Sequence, residues 1–253
     1  MPHKSAPANV RPRRSVLSDE TYDMIRGMIL RHDISPGAKV NIDALAAQLG
    51  VSQTPIREAL ARLEADGLIA KEALKGYSTT SLLTVKQFSD LYQFRLLIEP
   101  WAAERAAQTI DPVGVAALKA EMQSAKTALK LSNSEQIQAF IEHDARFHSL
   151  IARISGNETI TEAFERTHCH LHLFRLFLAA QAHLLDDKPK DKFVEDLFYR
   201  YYQTGQGSLT IREHEAITKA ICTHQPKDAK AAMQKHIQSS LNRFSPAAKE
   251  LNK

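Results

Sequence analysis

Apolar residues recur every three to four positions along most of this 253-residue chain, with polar residues between them. That period predicts helices. Residues 19–32 place Tyr22, Ile25, Met28 and Ile29 on one stripe, and Ser35-Pro36-Gly37 then breaks the chain. Asp43 to Leu49 reads as a short helix ended by Gly50, a natural C-terminal cap. Ser52 is placed to cap the next helix, which carries Pro55 near its first turn and runs to about Ala65. Asp66-Gly67 leads into Leu68-Ile69-Ala70, and Lys75-Gly76 turns the chain before Tyr77-Ser78-Thr79-Thr80, the pattern of a β-hairpin. Beyond residue 84 no strand pattern occurs. Helices are predicted at 85–109, 112–131, 134–154, 158–184, 190–203, 209–224 and 228–244, and seven of this kind read as an antiparallel bundle. The predicted fold class is mainly α, a winged helix-turn-helix joined to an all-α helical bundle. The expected limits are a flexible basic tail over 1–17, the winged domain over 18–82, the helical domain over 83–246 and a C-terminal tail over 247–253.

Composition then removes several classes. With 43% hydrophobic residues, and Gly plus Pro at 19 of 253, the chain is neither a disordered nor a collagen-like polymer. Its two cysteines, Cys169 and Cys222, lie far apart without CxxC spacing, which excludes a disulfide scaffold and a zinc finger and predicts a reducing compartment. No apolar run is long enough to span a bilayer and no apolar stretch follows the basic N-terminus, so a soluble cytoplasmic protein is expected. The net charge of +4 is local. Lys4, Arg11, Arg13 and Arg14 account for it, while 18–80 carries seven basic and nine acidic residues and 81–253 carries 22 and 20. Bulk charge therefore does not argue for nucleic acid. Histidine is more uneven, nine of eleven lying between His143 and His236, which directs attention to the C-terminal part.

Three helices and a hairpin in about 65 residues make a DNA-reading layout, in which the third helix enters the major groove. Its leading side chains are Ser52, Gln53, Thr54 and Arg57, with Arg62 further on. Arg57 can fork onto guanine, Gln53 can pair adenine, and Thr54 suits phosphate. Lys75 and Gly76 in the wing would let backbone approach the duplex. Without the wing, Arg57 and Glu58 would read simply as a solvated helix face.

The string Val51-Ser52-Gln53-Thr54-Pro55-Ile56-Arg57-Glu58-Ala59-Leu60, followed by Arg62-Leu63 and Asp66-Gly67-Leu68, closely resembles the GntR family of bacterial transcription regulators. One position departs from it. The family usually carries Arg where Gln53 stands, so its common base contact is absent there and a different operator preference is expected, the basic arm partly offsetting the lost charge.

Two histidine clusters compete in the helical part. Asp144 and His148 are four apart and share a helix face. His214 and His236 are equidistant from the turn at Gln225-Pro226, so they lie level across an αα-hairpin. If the two pairs meet, three histidines and a carboxylate form a site for Zn, Ni, Mn or Fe with open positions for water or a ligand. His168, His170 and His172 form a rival, since His168 and His172 are also four apart. Single helical histidines are ordinarily surface or satisfied core residues, and spacing alone does not choose. The pattern Asp144-x-x-x-His148, Ser155-Gly156-Asn157, Glu213-His214 and His236 is similar to the ligand-binding domain of the FadR branch of GntR proteins, called FCD. In its metal-binding members an Asp and three His hold the ion, which implies Asp144, His148, His214 and His236 as ligands. Arg95 sits among large apolar residues and needs a partner. That partner is either Glu99 one turn on or a ligand carboxylate, the second being what the resemblance implies, with Asn157 as a further effector contact. Pro100 predicts a kink just before it. The segment 183–208 looks longer than the family norm.

The expected function is a homodimeric regulator, not an enzyme. It would bind double-stranded operator DNA with an affinity set by a small carboxylic acid bound with a divalent transition metal, Zn first and Ni, Mn or Fe as alternatives. It would be bacterial and cytoplasmic, at the nucleoid when bound to DNA. The alternatives are a metal-dependent enzyme on the same Asp and His residues, for which Glu213 and Glu142 point the wrong way to serve as base, and a direct sensor of the metal ion.

Overall fold

The computed structural model describes residues 14–128, 130–131, 133–184 and 209–251, which fall into two compact units, 1–81 and 82–253. The first unit begins with α1 (Arg14–Leu30), followed by β1 (Lys39–Val40), α2 (Ile42–Leu49), α3 (Gln53–Ala65), β2 (Ile69–Glu72) and β3 (Gly76–Thr79). α1 starts five residues earlier than the periodicity predicts, taking in residues assigned to the flexible tail. Ser18 and Thr21 are buried, and the Thr21 hydroxyl donates to the Leu17 carbonyl at 2.6 Å. Asn41 caps α2 by accepting from the Ala44 N–H, and Gly50 ends it at φ 68°, the left-handed turn a Cβ would disfavour. Ile25, Ile29, Ile56, Ala59, Leu60, Leu63 and Leu68 bury together, α1 packing chiefly on α3. The hairpin gains a third strand absent from the prediction. β1 pairs with β3 at Lys39–Ser78 and Val40–Tyr77, giving the order β1-β3-β2. Two residues are too few to show an alternation.

The second unit is helical throughout its described residues: α4 (Val85–Thr109), α5 (Pro112–Ala128), α6 (Asn133–Ile154), α7 (Glu158–Glu165), α8 (Cys169–Leu184), α9 (Leu209–Cys222) and α10 (Pro226–Leu251). Thr84 and Gln87 close a reciprocal capping box at the head of α4, and the helix runs on through Pro100. α4 packs chiefly on α10, Tyr92 hydrogen-bonding Ser240 at 2.8 Å, and its Ala102, Ala103, Ala106 and Ala107 are buried. Phe88, Phe140, Phe147, Ile217, Ile237 and Phe244 fill the centre.

Two expectations change. The single helix predicted over 158–184 is two helices, because the chain turns at 166–168 with His168 at φ 46°. No glycine or proline marks that break. The last helix begins at Pro226, whose missing N–H costs nothing in a first turn, and continues to Leu251, so most of the proposed C-terminal tail is helical. The helix at 190–203, most of the long segment 183–208 and the first thirteen residues lie outside the described residues.

Candidate metal centre and DNA-reading surface

In the helical unit, α6 carries Asp144 and His148 one turn apart, α9 carries His214 and α10 carries His236. All four are buried, and one donor atom from each lies within 4.8 Å of every other. His148 Nε2 is 3.2 Å from His236 Nε2, which is 3.3 Å from His214 Nε2, which is 3.2 Å from Asp144 Oδ1. Donors that each stand about 2.1 Å from one ion are about 3 to 3.4 Å apart, so these spacings fit a bound transition metal. Asp144 Oδ1 supports the fit, since this buried oxygen has no hydrogen bond among the described residues.

The outer nitrogen of each imidazole is held as well. His148 Nδ1–H donates to Glu99, and His236 Nδ1–H donates to Glu213 Oε2 at 2.8 Å. His214 Nδ1 meets His143 Nε2 at 3.0 Å, and His143 Nδ1 meets Glu121 Oε1 at 2.8 Å. These partners suit a proton on each Nδ1, and each Nε2 then turns a lone pair inward, the tautomer that an ion bound at Nε2 requires. Arginines neutralise the three carboxylates. Arg95 Nε donates to Glu99 at 2.5 Å, Arg146 Nε to Glu121 at 3.0 Å and Arg243 Nη2 to Glu213 at 3.1 Å. Burial would raise the Glu99 carboxyl, but Arg95 and His148 hold it well below the usual carboxylate range. Burial likewise opposes ionisation of Glu121, and His143, Arg146 and Ser124 overcome it to bring its pKa to about 2. His148 is pushed down to about 4, by burial first and by Arg95 against the pull of Glu99, so it is neutral near pH 7. Burial also drives His214 well below its ordinary value.

Of the two partners considered for Arg95, Glu99 is the one it meets. The side chain is buried, its Nε is bound to Glu99, and its Nη2 lies 3.5 Å from His148 Nε2, at the edge of the four-donor cluster. Asn157 is otherwise engaged: its Oδ1 accepts the Ile160 N–H at 3.1 Å and caps α7, which accounts for the Ser155-Gly156-Asn157 string as a helix break. The rival histidine cluster is split by the turn before α8. His168 and His172 are half-buried away from the four donors, and only His170 turns inward. Glu142 is exposed and Glu213 faces the outer side of His236, so neither points at the donors. As supporting groups Glu121 and His143 escape sequence reasoning, while Glu99 is legible only as a partner of Arg95 and His170 only as a member of the rival cluster. Glu121 and His143 sit on different helices with no shared spacing, although nine clustered histidines are a signal that more than three take part.

In the first unit Ser52, Gln53, Thr54 and Arg57 are all exposed at the head of α3. Ser52 occupies the N-cap position without a side-chain cap bond, contrary to its expected capping role. Gln53 bridges the two helices, donating Nε2–H to Asp43 and accepting from Arg57 Nη2 at 3.4 Å. Arg62 lies elsewhere. Five residues on from Arg57 it points about 140° away, and there it bonds Asp19 at 2.6 Å and stacks 4.1 Å over the Tyr22 ring. Lys75 and Gly76 are exposed in the hairpin turn, Lys75 pairing with Glu72 at 2.7 Å. Gly76 has φ 88° and open space where a Cβ would stand, so backbone conformation, not crowding, calls for glycine.

An exposed polar head on the second helix of a helix-turn-helix, followed by a wing, is the layout of a DNA-binding transcription regulator, and that is the class of this protein. Residues 17–79 match the gntR family of bacterial regulatory proteins and residues 90–239 match the FCD domain. The chain belongs to the GntR family, in its FadR/FCD branch. It is 30% identical over 155 residues to an uncharacterized HTH-type transcriptional regulator of Bacillus subtilis, YdhC, a match covering 61% of this chain and 68% of that one. A putative L-lactate dehydrogenase operon regulatory protein of Escherichia coli K12 is 26% identical over 252 residues, covering 93% and 89% of the two chains. The crystal structure of a putative GntR regulator from Rhodococcus sp. RHA1 shares the fold with a TM-score of 0.59 at 19% identity, over 92% of this chain and 97% of that one. Among the described residues no helix is long and apolar enough to cross a membrane.

Proposed function

We propose that this regulator is controlled by a small organic acid, bound together with a divalent metal, Zn first, in the helical unit. The observation that carries the reading is the buried four-donor cluster, with a hydrogen-bonding partner at the outer nitrogen of every imidazole. A bound ion would supply positive charge and open coordination positions for a carboxylate. Charge balance favours an anion there: a divalent ion exceeds the single charge of Asp144, and Glu99, Glu121 and Glu213 are already matched by Arg95, Arg146 and Arg243. Arg95 Nη2, beside His148, is placed to take a carboxylate oxygen. The name of the E. coli relative ties it to an operon for a dehydrogenase of L-lactate, itself a small carboxylate.

On the DNA side, Gln53 and Arg57 would exchange their mutual contact for base edges, with Ser52, Thr54, Lys75 and Gly76 on the backbone. Two copies would read half-sites about one helical turn apart. Leu97 (77% exposed) and Trp101 (39% exposed), one turn apart on α4, are large apolar residues of the kind a homodimer covers. The acid then acts by favouring one arrangement of the chain over another, and its differential affinity sets operator affinity.

A thermal-shift screen of carboxylic and sugar acids, on metal-loaded and chelator-stripped protein, tests the reading. An acid at 100 times its Kd stabilises by about 2.7 kcal/mol and is expected to do so only in the loaded form. Operator affinity that follows metal concentration with no acid present would instead make the ion itself the signal.

A further inference from the structure

The fourth donor, Asp144, has a neighbour of its own. His170 Nε2 lies 3.2 Å from Asp144 Oδ2 with both side chains buried, and His170 Nδ1 lies 3.2 Å from Cys169 Sγ. Thiol, imidazole and carboxylate thus stand in a row. When the Cys169 S–H donates to Nδ1, the neutral ring keeps its own proton on Nε2, the nitrogen beside Asp144. His170 Nε2 lies beside Asp144 Oδ2, while Oδ1 is turned to His214 at 3.2 Å and His148 at 3.8 Å. The His170 contact falls short of an aligned hydrogen bond, and neither Asp144 Oδ1 nor His170 Nε2 has a hydrogen-bond partner among the described residues. A small turn of the carboxylate puts both atoms to use, Oδ1 toward an ion and Oδ2 toward His170.

We propose that His170 is the positioning residue of the Asp144 arm, with Cys169 fixing the proton on its inner nitrogen. The proposal rests on the metal-centre reading above. Its consequence is coordinative. A free carboxylate can chelate an ion with both oxygens and fill a position that an incoming acid needs, whereas one whose second oxygen is hydrogen-bonded offers a single oxygen. His170 and Cys169 also line a cavity of about 330 Å³ with Ser149, Arg153 and Phe164, so the orienting ring forms part of the wall of that space.

The test uses full-length protein and Zn²⁺ alone, in competition with a chromophoric chelator, comparing wild type, His170→Phe, His170→Gln and Cys169→Val. Phenylalanine keeps the ring volume without a donor, and glutamine restores an N–H. His170→Phe is expected to bind Zn²⁺ about 10- to 100-fold more weakly, and His170→Gln to recover most of the loss. The visible spectrum of bound Co²⁺ is expected to change in His170→Phe and to return in His170→Gln, a signature that general loosening of the fold would not restore. His170→Phe with wild-type Zn²⁺ affinity overturns the positioning role and leaves the centre standing. A wild type that binds no Zn²⁺ overturns the centre and this role together. Should His170→Phe not fold, Cys169→Val carries the test, because it lets the ring proton move to Nδ1. Weaker Zn²⁺ binding supports the relay, and wild-type affinity overturns it.

Discussion

Glu99 ties the fold of the helical unit to its metal centre, and Glu99→Ala separates the two contributions. Its carboxylate takes the Arg95 Nε–H at 2.5 Å on one oxygen and the His148 Nδ1–H on the other. Removing it leaves a guanidinium only 1% exposed without its counter-charge. Breaking one side of such a buried pair costs about 3–5 kcal/mol, and the orphaned imidazole donor contributes within that range. The Tyr92 ring, 5.3 Å from the Arg95 guanidinium, replaces little of the loss. Urea unfolding in excess chelator, followed by circular dichroism, measures the fold alone. Chelator competition for Zn²⁺ measures the centre, where loss of an imidazole's supporting acceptor is expected to lower affinity about 10- to 100-fold. The double variant Arg95→Met with Glu99→Leu removes both buried charges and is expected to regain most of the stability, but not the metal affinity, since His148 still lacks its acceptor. A Glu99→Ala protein within about 1 kcal/mol of wild type at unchanged m-value would refute the reasoning.

Other outcomes follow from the same geometry. His214→Ala is expected to abolish high-affinity Zn²⁺ binding, and His168→Ala to leave it unchanged; isothermal titration of the pair checks the choice between the two histidine clusters. Arg57→Ala, being exposed, is expected to leave the melting temperature alone and to cost about 1–3 kcal/mol of operator discrimination in gel-shift titrations. Arg62→Ala is expected to do the reverse, weakening the first unit by about 0.5–1 kcal/mol through loss of its stack on Tyr22. The Tyr22 hydroxyl is pushed up to about 12, by burial first and then by its hydrogen bond to Asp66 at 2.6 Å. Because that pKa is raised on folding, the bond's contribution is whole below pH 10 and is lost as pH climbs toward 12. The stability gap between wild type and Tyr22→Phe should therefore shrink across that window in urea melts.

Much of the architecture was legible because its causes are local. The limits of α4 follow from Thr84 with Gln87 at one end and Asp111-Pro112 beyond the other. Gly50 and the exposed head of α3 announced the helix-turn-helix from adjacent residues alone. The pairing of His214 with His236 followed from counting outward from Gln225-Pro226, since two antiparallel helices rise equally on either side of their turn.

Contacts between distant segments were not legible. The two-residue β1 exists only because β3 offers it a partner, and the turn at 166–168 lacks any residue that breaks a helix by itself. Arg62 counted among the DNA-reading residues of α3 until Asp19 and Tyr22 drew it to α1. The groups that hold the four donors reach them from other helices or by a fold-dependent turn of the ring: Glu99 from α4 to α6, Glu121 from α5 to His143, Glu213 from α9 to α10, and His170 from α8 to Asp144. By itself the sequence determined most of the helices, the ends that carry a local cap or break, and the family. Tertiary structure alone decided which helices meet, and with that which carboxylate orients which imidazole. Helical periodicity sets a side chain's direction around its own axis, but what it meets depends on the packing of every other helix.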